Sequence, residues 1–176
     1  MIDNSSQWSL RLAHPEDAEL MPAIETAAAI AFSDDPDLQD LDLDDPWEPP
    51  KLRSMIRKGH CLVAHVGETM AGFLASQPFQ RELHIWEMDV LPKFQKRGIG
   101  AGLVRACLVD ARNSGFHAVT LTTFRDLPWN APFYARLGFE EVTALDAHPR
   151  LASELALEAD DGLPAERRCA MICFLD

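Results

Sequence analysis

Between residues 95 and 102 the chain reads Gln95-Lys96-Arg97-Gly98-Ile99-Gly100-Ala101-Gly102, three glycines and two cations in eight residues. The apolar alternation before it predicts a strand over Glu82 to Val90. The helical recurrence of Leu103, Val104, Cys107, Leu108 and Ala111 after it predicts a helix over Gly100 to Arg112. A strand-to-helix turn of this kind gathers unpaired backbone N–H groups and the positive end of a helix dipole at one point, which is an anion site. Glycine lets a phosphate come close to the backbone, and Lys93, Lys96 and Arg97 add a cluster of positive charge. The plain alternative is a turn that is only architecture. Two phosphate motifs are excluded by spacing. A Walker loop needs Gly-Lys-Ser/Thr, which is missing, and a dinucleotide fingerprint needs a small residue where Leu103 stands.

The elements around that loop follow from pattern and breakers. Trp8 to Leu12 alternates as a first strand; His14-Pro15-Glu16-Asp17 reads as a turn and acidic helix start, and the helix is predicted over Ala18 to Phe32. A second helix is predicted over Pro46 to Gly59. Strands are predicted over Cys61 to Val66 and Thr69 to Ser76, joined by Gly67-Glu68 as a tight hairpin. Pro92 closes the third member of that meander. Beyond the glycine-loop helix come a strand over His117 to Phe124, a short helix over Pro128 to Leu137 stopped by Gly138, and a strand over Phe139 to Ala144. A helix over Leu151 to Ala159 and a last strand over Arg168 to Leu175 complete the order. Strands with helices between only some of them predict an α/β (α+β) fold: a mixed, largely antiparallel sheet of about seven strands flanked by helices.

Composition bounds the rest. With 176 residues, 47% apolar and 25% charged, the chain reads as one globular domain, 1–176, able to bury its own core. No apolar run reaches the length of a membrane span. Met1 to Leu10 lacks the basic start and apolar centre of a secretory signal, so a cytoplasmic location is expected. Cys61, Cys107, Cys169 and Cys173 form no C-x-x-C pair and have no histidines at zinc spacing, so they read as reduced core residues and no metal is expected. A net charge of -12 disfavours nucleic acid and anionic membranes as partners. Asp34, Asp35, Asp37, Asp40, Asp42, Asp44, Asp45 and Glu48 fall in a stretch without Lys or Arg, either a solvated loop or a rim that attracts a cation.

Three separated segments resemble one family. Met88-Asp89-Val90-Leu91-Pro92, then Gln95-x-x-Gly98-x-Gly100, then Phe133-Tyr134-x-x-Leu137-Gly138-Phe139 are similar, in order and distance, to the GNAT superfamily of acyl-CoA N-acetyltransferases. The resemblance covers Gly59 to Ala144 most strongly. It implies acetyl-CoA (coenzyme A) as co-substrate. Gln95, Lys96, Arg97, Gly98, Ile99, Gly100 and Ala101 would hold its pyrophosphate. Met88, Asp89 and Val90 would line its acyl arm, with a backbone N–H at Val90 polarising the donor carbonyl, and the strand ending at Val90 would splay from the strand at Val119 to admit the pantetheine.

The chemistry then needs a base and an acid. A lysine-like amine is neutral in only about one part in two thousand at pH 7, so deprotonation helps. Glu87 lies where family members often place an acidic residue. His84 is a second candidate, of opposite side-chain parity unless a bulge intervenes. The leaving thiolate needs a proton, and Tyr134, the chain's only tyrosine, falls at the family's proton-donor position. The family's asparagine seven residues before that tyrosine is replaced by Leu127; Asn130 stands four before it, either capping the helix or touching the pantetheine. Thr122 and Thr123 stand where some protein-acetylating relatives have a glutamate, which speaks against an N-terminal protein acetylase. The expectation is acetyl transfer by direct attack to the primary amine of a small, cationic molecule. A silent acyl-CoA-binding module and a protein-lysine acetyltransferase are the other readings, and the choice between monomer and homodimer is open.

Overall fold

A computed structural model of the protein describes residues 7–41 and 45–176. Met1 to Ser6 of the N-terminal segment, and Asp42 and Asp44 of the acidic stretch, lie outside the described residues. Seven strands form one sheet in the order β1-β2-β3-β4-β5-β7-β6. They are β1 (Trp8–Leu12), β2 (Leu62–Val66), β3 (Thr69–Phe79), β4 (Glu82–Val90), β5 (Ala118–Phe124), β6 (Glu140–Glu141) and β7 (Arg168–Phe174). The helices are α1 (Met21–Ala29), α2 (Pro49–Ile56), α3 (Ile99–Asn113), α4 (Ala131–Ala135) and α5 (Pro149–Asp160). β4 and β5 run parallel, whereas β1–β2, β2–β3, β5–β7 and β6–β7 are antiparallel. This is the mixed, helix-flanked sheet that the pattern of elements predicted.

The chain forms two compact units, Met1–Gln77 with Trp86–Asp110, and Pro78–Ile85 with Ala111–Asp176. In the first, Gly67 adopts φ 58° in the β2–β3 turn, as the Gly67-Glu68 hairpin requires. Met21, Ile24, Leu52, Met55, Val63 and Phe73 form its core against α1 and α2, each fully buried large side chain contributing about 1.5–3 kcal/mol. Proline sets the helix starts. Pro22 lacks an N–H donor, so the predicted helix over Ala18 to Phe32 is a 3₁₀ turn at Pro15–Glu19, then α1, then a second 3₁₀ turn at Ile30–Phe32. Pro49 and Pro50 start α2 three residues later than expected, and Gly59, at φ 94°, lies just past its end. The acidic stretch is folded into turns over residues 36–40. Leu38 is buried beneath it, and the amide of Asp37 donates to Asp35 Oδ1 at 3.0 Å.

In the second unit β4 pairs with β5 over Glu82–Ile85 and Ala118–Leu121. The unit boundary in β4 falls immediately after Ile85, its last residue paired with β5. β7 pairs along the whole of β5, and Ala118, Val142, Leu151, Ala170 and Ile172 form the core under α5. β6 is shorter than predicted because only Glu140 and Glu141 pair with β7; Phe139 and Val142 are buried on either side of them.

One glycine fixes the approach of β4 to β3. A Cβ on Gly72 would lie 2.6 Å from the backbone oxygen of Asp89, and backbone cannot swing aside. Gly72→Ala is expected to lower stability by about 1–3 kcal/mol, read from the urea midpoint; an unchanged midpoint would contradict this packing.

Candidate active site

The glycine loop is built entirely within the first unit. β4 ends at Val90, and the amide of Leu91 donates to the Ala71 carbonyl at 2.8 Å. Pro92–Phe94 forms a 3₁₀ turn, after which the Gln95 side-chain amide donates back to the Val90 carbonyl at 3.0 Å. The backbone then enters the left-handed region twice, at Lys96 (φ 61°) and Gly98 (φ 83°). At Lys96 this costs about 1–2 kcal/mol because the residue carries a Cβ. α3 begins with the amide of Gly102 donating to the Gly98 carbonyl at 2.9 Å. The amides of residues 99–101 precede that bond and have no acceptor within the helix. The space where a Cβ of Gly98 would point is open to 4 Å, so glycine is needed there for its φ and leaves the loop's face clear. Lys93, Lys96 and Arg97 are exposed, and Lys93 and Arg97 lie over the Phe94 ring at 4.9 and 5.4 Å. A diphosphate fits this arrangement of amides, dipole and cations.

Trp8 supports the loop, and sequence reading assigned it only to a strand. Its indole N–H donates to the Arg97 carbonyl at 3.1 Å, and its ring lies where a Cβ of Gly102 would be, at 2.5 Å. Gly102 thus serves packing on Trp8, whereas Gly98 serves the turn.

The remaining candidates divide between the units. Glu87, Met88 and Asp89 are half-buried on β4 in the first unit, and Val90 is buried. His84, Asn130 and Tyr134 belong to the second. His84 is fully buried, with its Nδ1 2.8 Å from Thr120 Oγ1 and its ring edge-on to Phe79. Burial, helped by the charge of Arg150, pushes its pKa down to about 3, so it is neutral near pH 7 and a poor proton acceptor there. Arg150 donates to Glu82 Oε2 at 2.9 Å and to Thr120 Oγ1 at 2.7 Å. Tyr134 is 9% exposed, its ring set edge-on between Phe133 and Phe139 at 5.1 and 5.7 Å. Asn130 stands at the N-cap of α4, but its side chain makes no cap bond. Its Oδ1 instead accepts from the Thr123 hydroxyl at 2.7 Å and the Phe124 amide at 3.3 Å, tying α4 to β5. Thr122 donates to Glu158 of α5, which also receives Arg168.

Residues 24–139 match the Acetyltransferase (GNAT) family, a span that includes the glycine loop and Tyr134. The chain belongs to that family. This GNAT enzyme is an acyltransferase with acetyl-CoA as co-substrate. It is 29% identical over 132 residues to the N-alpha-acetyltransferase RimI of Mycobacterium tuberculosis, covering 69% of this chain and 80% of that protein. In fold it is similar to the PaiA N-acetyltransferase of Thermoplasma acidophilum, a structure with coenzyme A, at TM-score 0.71 and 15% identity, covering 96% and 99% of the two chains. It is likewise similar to the ribosomal-protein-S18-alanine N-acetyltransferase of Escherichia coli, at TM-score 0.68 and 16% identity over 97% and 95%. Among the described residues no helix is long and apolar enough to cross a membrane.

Two outcomes follow from this geometry. Trp8→Phe keeps a ring on Gly102 but loses the bond to Arg97, and is expected to raise KM for acetyl-CoA about 5- to 10-fold, the worth of one hydrogen bond of about 1 kcal/mol, with little change in kcat. An equal fall in kcat with unchanged KM would contradict the support role. Between pH 6.5 and about 3 the unfolded chain binds a proton that folded His84 refuses, so His84 contributes a loss of stability as pH falls through that window. His84→Gln should flatten the acid side of a stability–pH curve; an unchanged slope would contradict a neutral buried imidazole.

Proposed function

We propose that this GNAT enzyme, one catalytic domain over residues 1–176, passes the acetyl group directly to the primary amine of a small, cationic acceptor in a ternary complex. The observation that carries the reading is that one family match spans both the left-handed turn into α3 and the chain's only tyrosine. The amides of residues 99–101, with Lys96 and Arg97, bind the diphosphate. The segment Met88 to Val90 lines the acyl arm, and a backbone N–H at Val90 polarises the carbonyl so that charge developing on oxygen is met by a fixed donor. Tyr134 gives a proton to the departing sulfur; its phenol sits in an apolar aromatic surround. Of the two bases named from sequence, Glu87 keeps its case because His84 is held neutral. The acceptor's positive charge is supported by the exposed carboxylates of Asp34, Asp37, Asp40 and Asp45 and the net charge of -12.

A second reading, transfer to the N-terminal amine of a protein, is favoured by the 29% identity to an N-alpha-acetyltransferase. Thr122 does not supply the carboxylate of a protein acetylase itself, but its hydroxyl donates to one, Glu158.

The test is thiol release from acetyl-CoA with a panel of polyamines, amino sugars, amino acids and peptides with free N-terminal alanine. Turnover is expected on the small polyamines or amino sugars and should weaken as salt rises. Preference for the peptides would replace this acceptor with a protein terminus, and coenzyme binding without release on any amine would indicate a silent module. Tyr134→Phe should lower kcat by about 10²-fold or more with KM for acetyl-CoA little changed; full activity would remove Tyr134 from the chemistry.

A further inference from the structure

Two acidic side chains of the first unit, the buried Glu25 and the half-buried Asp89, have surroundings that lining the acyl arm does not explain. Glu25 projects from the Ala-rich helix α1 and is 9% exposed. Its Oε2 accepts the Trp47 amide at 3.1 Å. Asp89 is the penultimate residue of β4, and its Oδ2 is buried with no hydrogen-bond partner. Among the described residues neither carboxylate has an ion pair with Lys or Arg closer than 4 Å, although the unit holds such pairs in Arg11 with Asp17 at 2.7 Å and Arg53 with Glu19. A buried, unpartnered carboxylate oxygen is costly unless it carries a proton or meets one during function.

The surroundings already hold a primary ammonium. Trp47 lies 5.6 Å from Trp86, ring centroid to centroid, and the Lys51 Nζ sits 3.4 Å from the centre of the Trp47 ring, on the residue whose amide binds Glu25. Lys51 thus occupies this indole face, held by the ring quadrupole. Asp89 also adjoins Val90 in the chain, next to the backbone assigned to the donor carbonyl.

We infer that Asp89, with Glu25 as its positioning partner, is the group that takes the proton from the acceptor's ammonium, in place of Glu87 or His84. This rests on the amine-acetylating reading above. The Asp89 carboxylate removes one proton from R–NH3⁺, leaving R–NH2 and a carboxylic acid. The amine lone pair forms the C–N bond at the thioester carbonyl carbon. On collapse the C–S bond breaks, its pair stays on sulfur, and sulfur takes the phenolic proton of Tyr134, which is replaced by the second proton of the adduct nitrogen. Asp89 returns its proton to water, so R–NH3⁺ and acetyl-CoA give the amide, the free thiol and H⁺.

The electrostatics agree with that placement. Burial, and then repulsion by Glu25, pushes Asp89 from 3.8 up to about 7. Burial, opposed by the Trp47 amide and Lys51 and reinforced by Asp45, raises Glu25 to about 6. Two carboxylates that repel each other in this way titrate as a pair near neutrality. An ordinary carboxylate holds a proton too weakly to draw one from an amine, whereas this pair is tuned toward the operating pH.

The experiment measures thiol release across pH 5.5–9.5 for the full-length wild type, Asp89→Asn, Glu25→Gln and Glu87→Gln. Two acceptors are used, an alkylamine and its trifluorinated analogue, whose amine is already neutral at pH 7. Asp89→Asn should lose about 10²-fold or more of kcat/KM on the alkylamine and recover most of it on the fluorinated one, with coenzyme A affinity retained. Glu25→Gln, which removes the repelling charge, should move the acid limb of the profile to lower pH, and this arm stands even if Asp89→Asn does not fold. Glu87→Gln should change kcat/KM by the same factor on both amines. Equal losses on both amines, an unmoved acid limb in Glu25→Gln, or the selective loss appearing in Glu87→Gln would overturn the inference. No release by wild type on either amine would instead overturn the amine-acetylating reading on which it rests.

Discussion

Everything in the first unit's chemistry depends on a backbone that turns left-handed at Lys96 and again at Gly98 before starting a helix of 15 residues. The turn leaves the first amides of α3 without helical acceptors and directs them to one side, where the helix dipole and the Lys96 and Arg97 charges add to them. Such a turn is strained by itself, so it must be held by its neighbours. Trp8 holds it from β1 through the bond to Arg97 and the contact at Gly102. The Gln95 side chain holds it from within, by closing on the Val90 carbonyl. A strand at the edge of the sheet, far away in sequence, thus fixes the geometry of the anion site.

Burial acts on β4 in two opposite-looking ways that have one cause. At His84 it penalises the protonated, charged ring and drives the pKa down to about 3. At Asp89 it penalises the ionised, charged carboxylate and drives the pKa up to about 7. Both groups are therefore mostly uncharged at lower physiological pH. Of these two, only Asp89 gains and loses a proton near neutrality.

The local rules in the sequence carried far for elements whose breakers are local. β4 begins at Glu82 and ends at Val90 as read, because Pro92 and the glycine loop bound it, and the Gly67-Glu68 hairpin stands for the same reason. Errors arose where a tertiary partner decides. β6 shrinks to Glu140–Glu141 because pairing with β7, invisible in sequence, sets its length. Asn130 looked like a cap, yet β5 offers its side chain better partners at Thr123 and Phe124. The left-handed loop was legible from glycine spacing; its support by Trp8 was not, since an aromatic in a first strand reads as core. Glu25 is the lone carboxylate in the Ala-rich run Met21–Ala29, and its burial there is set by packing that no local pattern shows. Asp89 could be placed beside the coenzyme by resemblance, but the burial of its Oδ2 is a property of the folded unit alone.

The central claim is that the turn at Gly98 grips the diphosphate of the coenzyme. Calorimetric titration of wild type and Gly98→Ala with coenzyme A and with pantetheine, which lacks the diphosphate and nucleotide, addresses it directly. Forcing a Cβ into the left-handed region costs about 1–2 kcal/mol, so Gly98→Ala should bind coenzyme A about 5- to 30-fold more weakly while its affinity for pantetheine matches wild type. Equal affinity of both proteins for coenzyme A, or an equal loss for both ligands, would contradict the account.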